Sequence, residues 1–132
     1  SYSGYHCMGH LLGSDPGFFR EVKWSGSHLQ SLLLVKAGEA DSAAIDTVTF
    51  DLLRKFAPSY VSGIRIVQET APAPAPPLVS SWQWSEEEFV AIQTALHRLW
   101  QDAAAKTVCR ELLLDGFFVW RAEDYAVCRA WV

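Results

Sequence analysis

Hydroxyl side chains and glycine stand immediately before helix-period residues at two places in this 132-residue chain. The first is Ser1-Tyr2-Ser3-Gly4-Tyr5 and the second is Gly26-Ser27-His28. A helix start carries several unpaired backbone N–H groups at the positive end of its dipole, and hydroxyls add further donors. Such a place suits an oxyanion such as phosphate or phosphonate. His28 adds either a neutral N–H or, near about pH 6–7, a cationic donor. Asp46, after Ala43-Ala44-Ile45, supplies a carboxylate that can accept a hydrogen bond from a P–OH group or pair with an ammonium. That choice selects against a fully deprotonated anion such as sulfate. Each residue also has a plain structural use, because Ser3, Ser27 and Asp46 are all good N-caps.

Other constellations offer less. His6 and His10 have the four-residue spacing of a metal pair but no third ligand in view. Serine, histidine and aspartate all occur, yet no nucleophile elbow is present, so no catalytic residues are assigned. Trp82 and Trp84 fit either a core or the wall of a ligand cleft. Cys7, Cys109 and Cys128 show no C-x-x-C or His-rich spacing, and either a Cys109–Cys128 bridge or three unpaired thiols fits. Neither a metal nor another cofactor is expected.

The elements that position these residues follow from apolar spacing. Tyr5, Met8, Leu11 and Leu12 predict a helix over Gly4–Leu12, ended by Gly13-Ser14-Asp15-Pro16-Gly17. Ser27 caps a helix carrying Leu29, Leu32, Leu33 and Lys36, with Gly38 as its stop. Thr47–Phe56 is a third helix, halted at Pro58. Glu21–Trp24, Asp41–Ile45 and Ile64–Glu69 read as short strands between these helices. Alternating strands and helices predict an α/β lobe with a parallel sheet and right-handed crossovers. In such a lobe, ligands collect at the carboxyl ends of the strands.

Four prolines in Ala71–Pro77 then give a stiff, extended segment unable to enter a central strand. Ser85-Glu86-Glu87-Glu88 is a capping box opening a helix to about Ala105, whose buried stripe is Phe89, Ile92, Leu96, Leu99 and Ala103. Two more helices are expected over Lys106–Leu114 and Ala122–Trp131.

Composition narrows the function. The chain is 50% hydrophobic, with 11 basic and 15 acidic side chains and a net charge of −4. The mild acidity and scattered cations argue against nucleic acid as a partner. No apolar run approaches the roughly 20 residues of a membrane span. The chain begins at Ser1 with no Met and no targeting segment, and the expectation is that a front half is missing.

The order Ser1-Tyr2-Ser3-Gly4-Tyr5, Gly26-Ser27-His28 with Ser31, Ala37 to Asp46, and Thr70 leading to Pro74 and Pro77 resembles the phosphonate/phosphate-type substrate-binding proteins of ABC transporters. The resemblance implies a type 2 periplasmic binding protein fold, here a three-layer lobe with a parallel or mixed sheet followed by C-terminal helices. It implies a second α/β lobe over 1–70, a proline-rich crossing segment over 71–81, and a helical segment over 82–132. An anion site would fall on Ser1, Tyr2, Ser3, His28 and Asp46, although Tyr2 stands where the family often has a small hydroxyl residue. Function would be the binding of a small oxyanion and its delivery to an ABC permease, without catalysis, in the periplasm or on a lipid anchor outside the cell. A ligand-sensing effector domain of a regulator is the alternative. Family members are about twice as long, so the first lobe would be absent, and self-association as a homodimer would cover the apolar surface left exposed.

Overall fold

Capping chemistry sets where most of the helices begin. The computed structural model describes residues 2–11, 17–81 and 83–129, with side chains from residue 4 onward. A π-helical turn over Tyr2–His6 runs into α1, Cys7–Leu11. The expected terminator at residues 13–16 lies outside the described residues. Ser27 then caps α2, His28–Lys36, its Oγ accepting from the Gln30 N–H at 3.1 Å. The far end of α2 is a Schellman closure. Glu39 N–H donates to Leu34 C=O at 2.9 Å and Gly38 N–H to Val35 C=O at 3.1 Å, with Gly38 at φ +73°. Glycine takes that left-handed conformation without the clash a Cβ would bring.

Asp46 caps α3, Thr47–Phe56, and a 3₁₀ turn over Pro58–Tyr60 follows. The ends of α2 and of this turn are tied together, since the Lys36 ammonium donates to the Ser59 carbonyl. Lys23 likewise reaches the Glu39 carbonyl at 2.9 Å. Leu32, on the inner face of α2, is only 1% exposed and stands with Cys7 and Val61 as the buried apolar centre here.

The expected α/β class is overturned. Among the described residues there is no strand, and about half of the chain is helical. Glu21–Trp24, Asp41–Ile45 and Ile64–Glu69 are irregular, and no ladder of backbone bonds joins them. A strand is stable only where neighbours take up its N–H and C=O groups, and a lone short segment has none. Local composition adds to this, because Ser42-Ala43-Ala44 is a poor β-former. Val22, Trp24, Ile66 and Val67 of these segments stay in solvent, Val67 at 83% exposure being the extreme, while Ile45 and Ile64 are half-buried. The parallel or mixed sheet and its three-layer packing are therefore not part of this structure.

The chain divides into two compact units, Ser1–Ala73 with Ala126–Val132, and Pro74–Tyr125. In the second, Ser85 caps α4, Glu86–Gln101, through a complete capping box. The helix stops four residues earlier than its apolar period suggests. Asp102 leaves helical geometry at ψ 128° and caps a new helix, α5, Ala103–Glu111, by accepting from Ala105 N–H at 2.8 Å. The competition between local capping and helix continuation explains the break, since a short carboxylate offers the backbone an alternative partner.

The stripe on α4 is not buried as expected, for Phe89, Ile92 and Leu99 are all exposed and Leu96 is half-buried. Instead, among the described residues of this unit Cys109 of α5 is the buried apolar one, and the Lys106 ammonium lies 5.0 Å from the Trp100 ring centre. Of the helix expected over Ala122–Trp131, the described part is a 3₁₀ turn at Ala122–Tyr125 leading into α6, Ala126–Arg129, and residues 130–131 lie outside the described residues. The Tyr125 hydroxyl donates to Ala75 C=O at 2.9 Å, pinning the proline-rich segment within its unit. All three cysteines are free thiols in this structure.

Candidate functional site

The starts of α2 and α3 meet through their side chains. His28 is the first residue of α2 and Asp46 immediately precedes α3. His28 Nε2 lies 3.2 Å from Asp46 Oδ2, with the two side chains 24% and 31% exposed. The carboxylate is divided between two duties. Its Oδ1 accepts from Thr49 N–H at 2.8 Å and holds the helix start, while Oδ2 faces the imidazole. Two anchors fix the orientation of the Asp46 side chain. That restraint matters chemically, because a positioned carboxylate can select the protonation state of what approaches it.

A chain of hydroxyls leads up to the same helix start. Ser25 Oγ donates to Ser27 C=O at 3.1 Å and lies 2.6 Å from Ser31 Oγ. A hydroxyl carries one proton, so with Ser25 donating to the carbonyl, Ser31 is the donor of the pair. Gly26, at φ +83°, makes the tight turn between Trp24 and the Ser27 cap. Ser25 and Ser31 were not among the residues assigned from sequence to the anion site. Their signal was the dense serine content of Trp24–Ser31, which the capping role of Ser27 overshadowed.

The N-terminal motif is brought alongside by aromatic contact. Tyr5 stacks on Trp24, with ring centres 5.3 Å apart and planes 23° from parallel, and meets His6 edge-on. Tyr5 thus joins the Tyr2–His6 turn to the segment that leads into α2. Ser1 lies outside the described residues, and for Tyr2 and Ser3 only the backbone is described. Of the five residues assigned from sequence, the structure brings His28 and Asp46 into contact. The stack was not foreseen, because Trp24 read as a strand residue.

Elsewhere, a cavity of about 130 Å³ in the second unit is lined by His97, Trp100, Gln101, Gly116, Phe117 and Phe118. It contains none of the residues assigned to the anion site. Among the described residues no group of three or more His, Cys, Asp or Glu side chains could hold a metal ion, and no helix is long and apolar enough to cross a membrane.

A histidine–carboxylate pair thus joins the starts of α2 and α3, with the Ser25 and Ser31 hydroxyls bonded beside it. The family model of the periplasmic substrate-binding proteins of phosphonate ABC transporters matches residues 1–125, and the chain belongs to that family. Membership implies a small-molecule ligand, an ABC permease as partner and a place in the periplasm or outside the cell. Proteins of this family bind and deliver, and are generally not catalysts. A search of curated proteins finds no match.

Proposed function

We propose that this chain binds a monoprotonated phosphonate, or a closely similar phosphate-type oxyanion, and hands it unchanged to a membrane permease. The observation that carries the reading is the 3.2 Å approach of His28 Nε2 to Asp46 Oδ2 at two adjoining helix starts. Its support in kind is the family to which the chain belongs. The protein then works in the periplasm or, on a lipid anchor, at the outer face of the cell.

In this reading the backbone N–H groups of the first turn of α2 face the anion, and Ser1, Tyr2 and Ser3 are the further donors expected from sequence. Helix-dipole attraction supplies about 0.3–1 kcal/mol at each start. His28 contributes the charge-assisted donor, worth about 1.5–3 kcal/mol where water is excluded and less at a partly open site. Asp46 accepts from the P–OH group. A phosphonate monoanion has such a proton at neutral pH and sulfate has none, so sulfate meets an uncompensated carboxylate. Binding and release of the unchanged ligand is the chemistry this reading assigns, in keeping with a family of proteins that are generally not catalysts.

Isothermal titration calorimetry with methylphosphonate, inorganic phosphate and sulfate tests the reading. The expected result is binding of the first two and exclusion of sulfate. His28→Ala should weaken methylphosphonate about tenfold, the equivalent of roughly 1.4 kcal/mol. Asp46→Asn should narrow the gap between methylphosphonate and sulfate, because the repelling charge is gone while the cap remains. Equal affinity for all three anions, unchanged in both variants, would show that the site lies elsewhere.

A further inference from the structure

Trp24 is 78% exposed, an unusual state for the largest apolar side chain, which is highly buried on average. One face of its indole is covered by Tyr5, whose ring lies 5.3 Å away and nearly parallel. The other face is left to solvent. Only Ser25, Gly26 and Ser27 separate it from His28, so chain length alone keeps the two Cα atoms within about 14 Å. The turn is tighter than that limit, since Ser25 bonds both Ser27 C=O and Ser31 Oγ, and Gly26 bends at φ +83°. The neighbouring Lys23 ammonium is engaged on the Glu39 carbonyl at 2.9 Å.

A phosphonate differs from phosphate in having a carbon substituent on phosphorus. With the anionic head at His28 and Asp46, that substituent must leave the site in some direction. We infer that the solvent face of Trp24, stiffened from behind by Tyr5, is a stacking platform for it, so that the preferred ligands are phosphonates bearing a planar or aromatic group. This rests on the anion reading above. A ring laid on the indole gains an offset-stacked contact and removes apolar surface from water on both partners. The platform is already built, since Tyr5 and Trp24 hold each other in place without ligand and little ordering is left for binding to impose. Phosphate has nothing to lay there, and a methyl group covers little of the ring.

The test compares phenylphosphonate, methylphosphonate and inorganic phosphate on the whole chain by calorimetry. The wild type should bind phenylphosphonate about two- to tenfold more tightly than methylphosphonate, the range of an aromatic pair. Trp24→Ala should erase that preference and leave methylphosphonate affinity unchanged. Trp24→Phe should keep part of it, which guards against a general loss of structure in the alanine variant, and circular dichroism checks the helix content of both. Equal weakening of both phosphonates in Trp24→Ala overturns the platform, as does wild-type binding without a phenyl preference. Either result leaves the anion site standing. If none of the three ligands binds, the anion reading fails and the platform falls with it.

Discussion

Asp46 has two measurable functions, and they can be separated by substitution. Its Oδ1 caps α3 at 2.8 Å from Thr49 N, and its Oδ2 faces His28 Nε2 at 3.2 Å. Asp46→Ala removes both, Asp46→Asn keeps a good cap but removes the charge, and His28→Gln removes the imidazole alone. The cap contributes about 1 kcal/mol, within a range of roughly 0.5–2. For the pair, two unit charges 3.2 Å apart attract by about 1.3 kcal/mol in a water-like medium. Both side chains are about a quarter to a third exposed, so screening and lost side-chain freedom reduce this to about 0.2–1 kcal/mol. Asp46→Ala should therefore cost about 1.5 kcal/mol in all and Asp46→Asn about 0.5.

A double-mutant cycle of His28→Gln with Asp46→Asn should give a coupling of about 0.5 kcal/mol at about pH 5.5 and low salt, falling toward zero in about 1 M salt. Urea unfolding followed through the amide resonances of α2 and α3 confines the readout to the first unit. A coupling of zero at low salt would refute the pairing. Asp46→Asn proving as costly as Asp46→Ala would instead refute the separation of the two roles, because the cap would then depend on the charge rather than on the acceptor.

Two further outcomes bear on the second unit. The end of α5 repeats the Schellman closure of α2, with Leu114 N–H on Cys109 C=O at 2.9 Å, yet a leucine, Leu113 at φ +61°, stands where α2 has Gly38. The left-handed conformation costs a residue with a Cβ about 1–2 kcal/mol, and glycine's greater freedom in the unfolded chain offsets roughly 0.5–1 kcal/mol of the relief. Leu113→Gly should thus slow exchange of the Leu114 amide by up to about fivefold, the equivalent of about 1 kcal/mol, whereas faster exchange would mean that packing of the half-exposed leucine outweighs its strain. At α4, backbone and hydroxyl donation from Ser85 holds the Glu88 carboxyl below its ordinary range. Its folded value being depressed, the stabilisation is present above the ordinary Glu value of about 4.3 and is lost as pH falls through the lower folded value. The Ser85 amide resonance should report that acid transition in the wild type and lose it in Glu88→Gln, and an unchanged titration in the variant would refute the assignment.

Local chemistry was legible where it needed only near neighbours in sequence. Ser27, Asp46 and Ser85 cap the helices their positions predict, and Gly38 closes α2. The strands failed for the opposite reason. Whether Glu21–Trp24 or Ile64–Glu69 forms a strand depends on distant backbone to pair with, which no local pattern contains. Asp102 shows a milder version, because its cap on α5 competes with the apolar period of α4, and only the outcome reveals the winner.

What the sequence determined by itself, then, was the kind of chemistry: donor-rich helix starts, a histidine, a carboxylate, and an order of motifs matching a family of phosphonate-binding transport proteins. These depend on residue type and on contacts within a turn of helix, which spacing encodes directly. Tertiary structure alone decided that His28 meets Asp46 across 17 intervening residues, and that Tyr5 stacks on Trp24. Such contacts arise from how α2, α3 and the N-terminal turn pack, and packing is a property of the whole unit rather than of any segment within it.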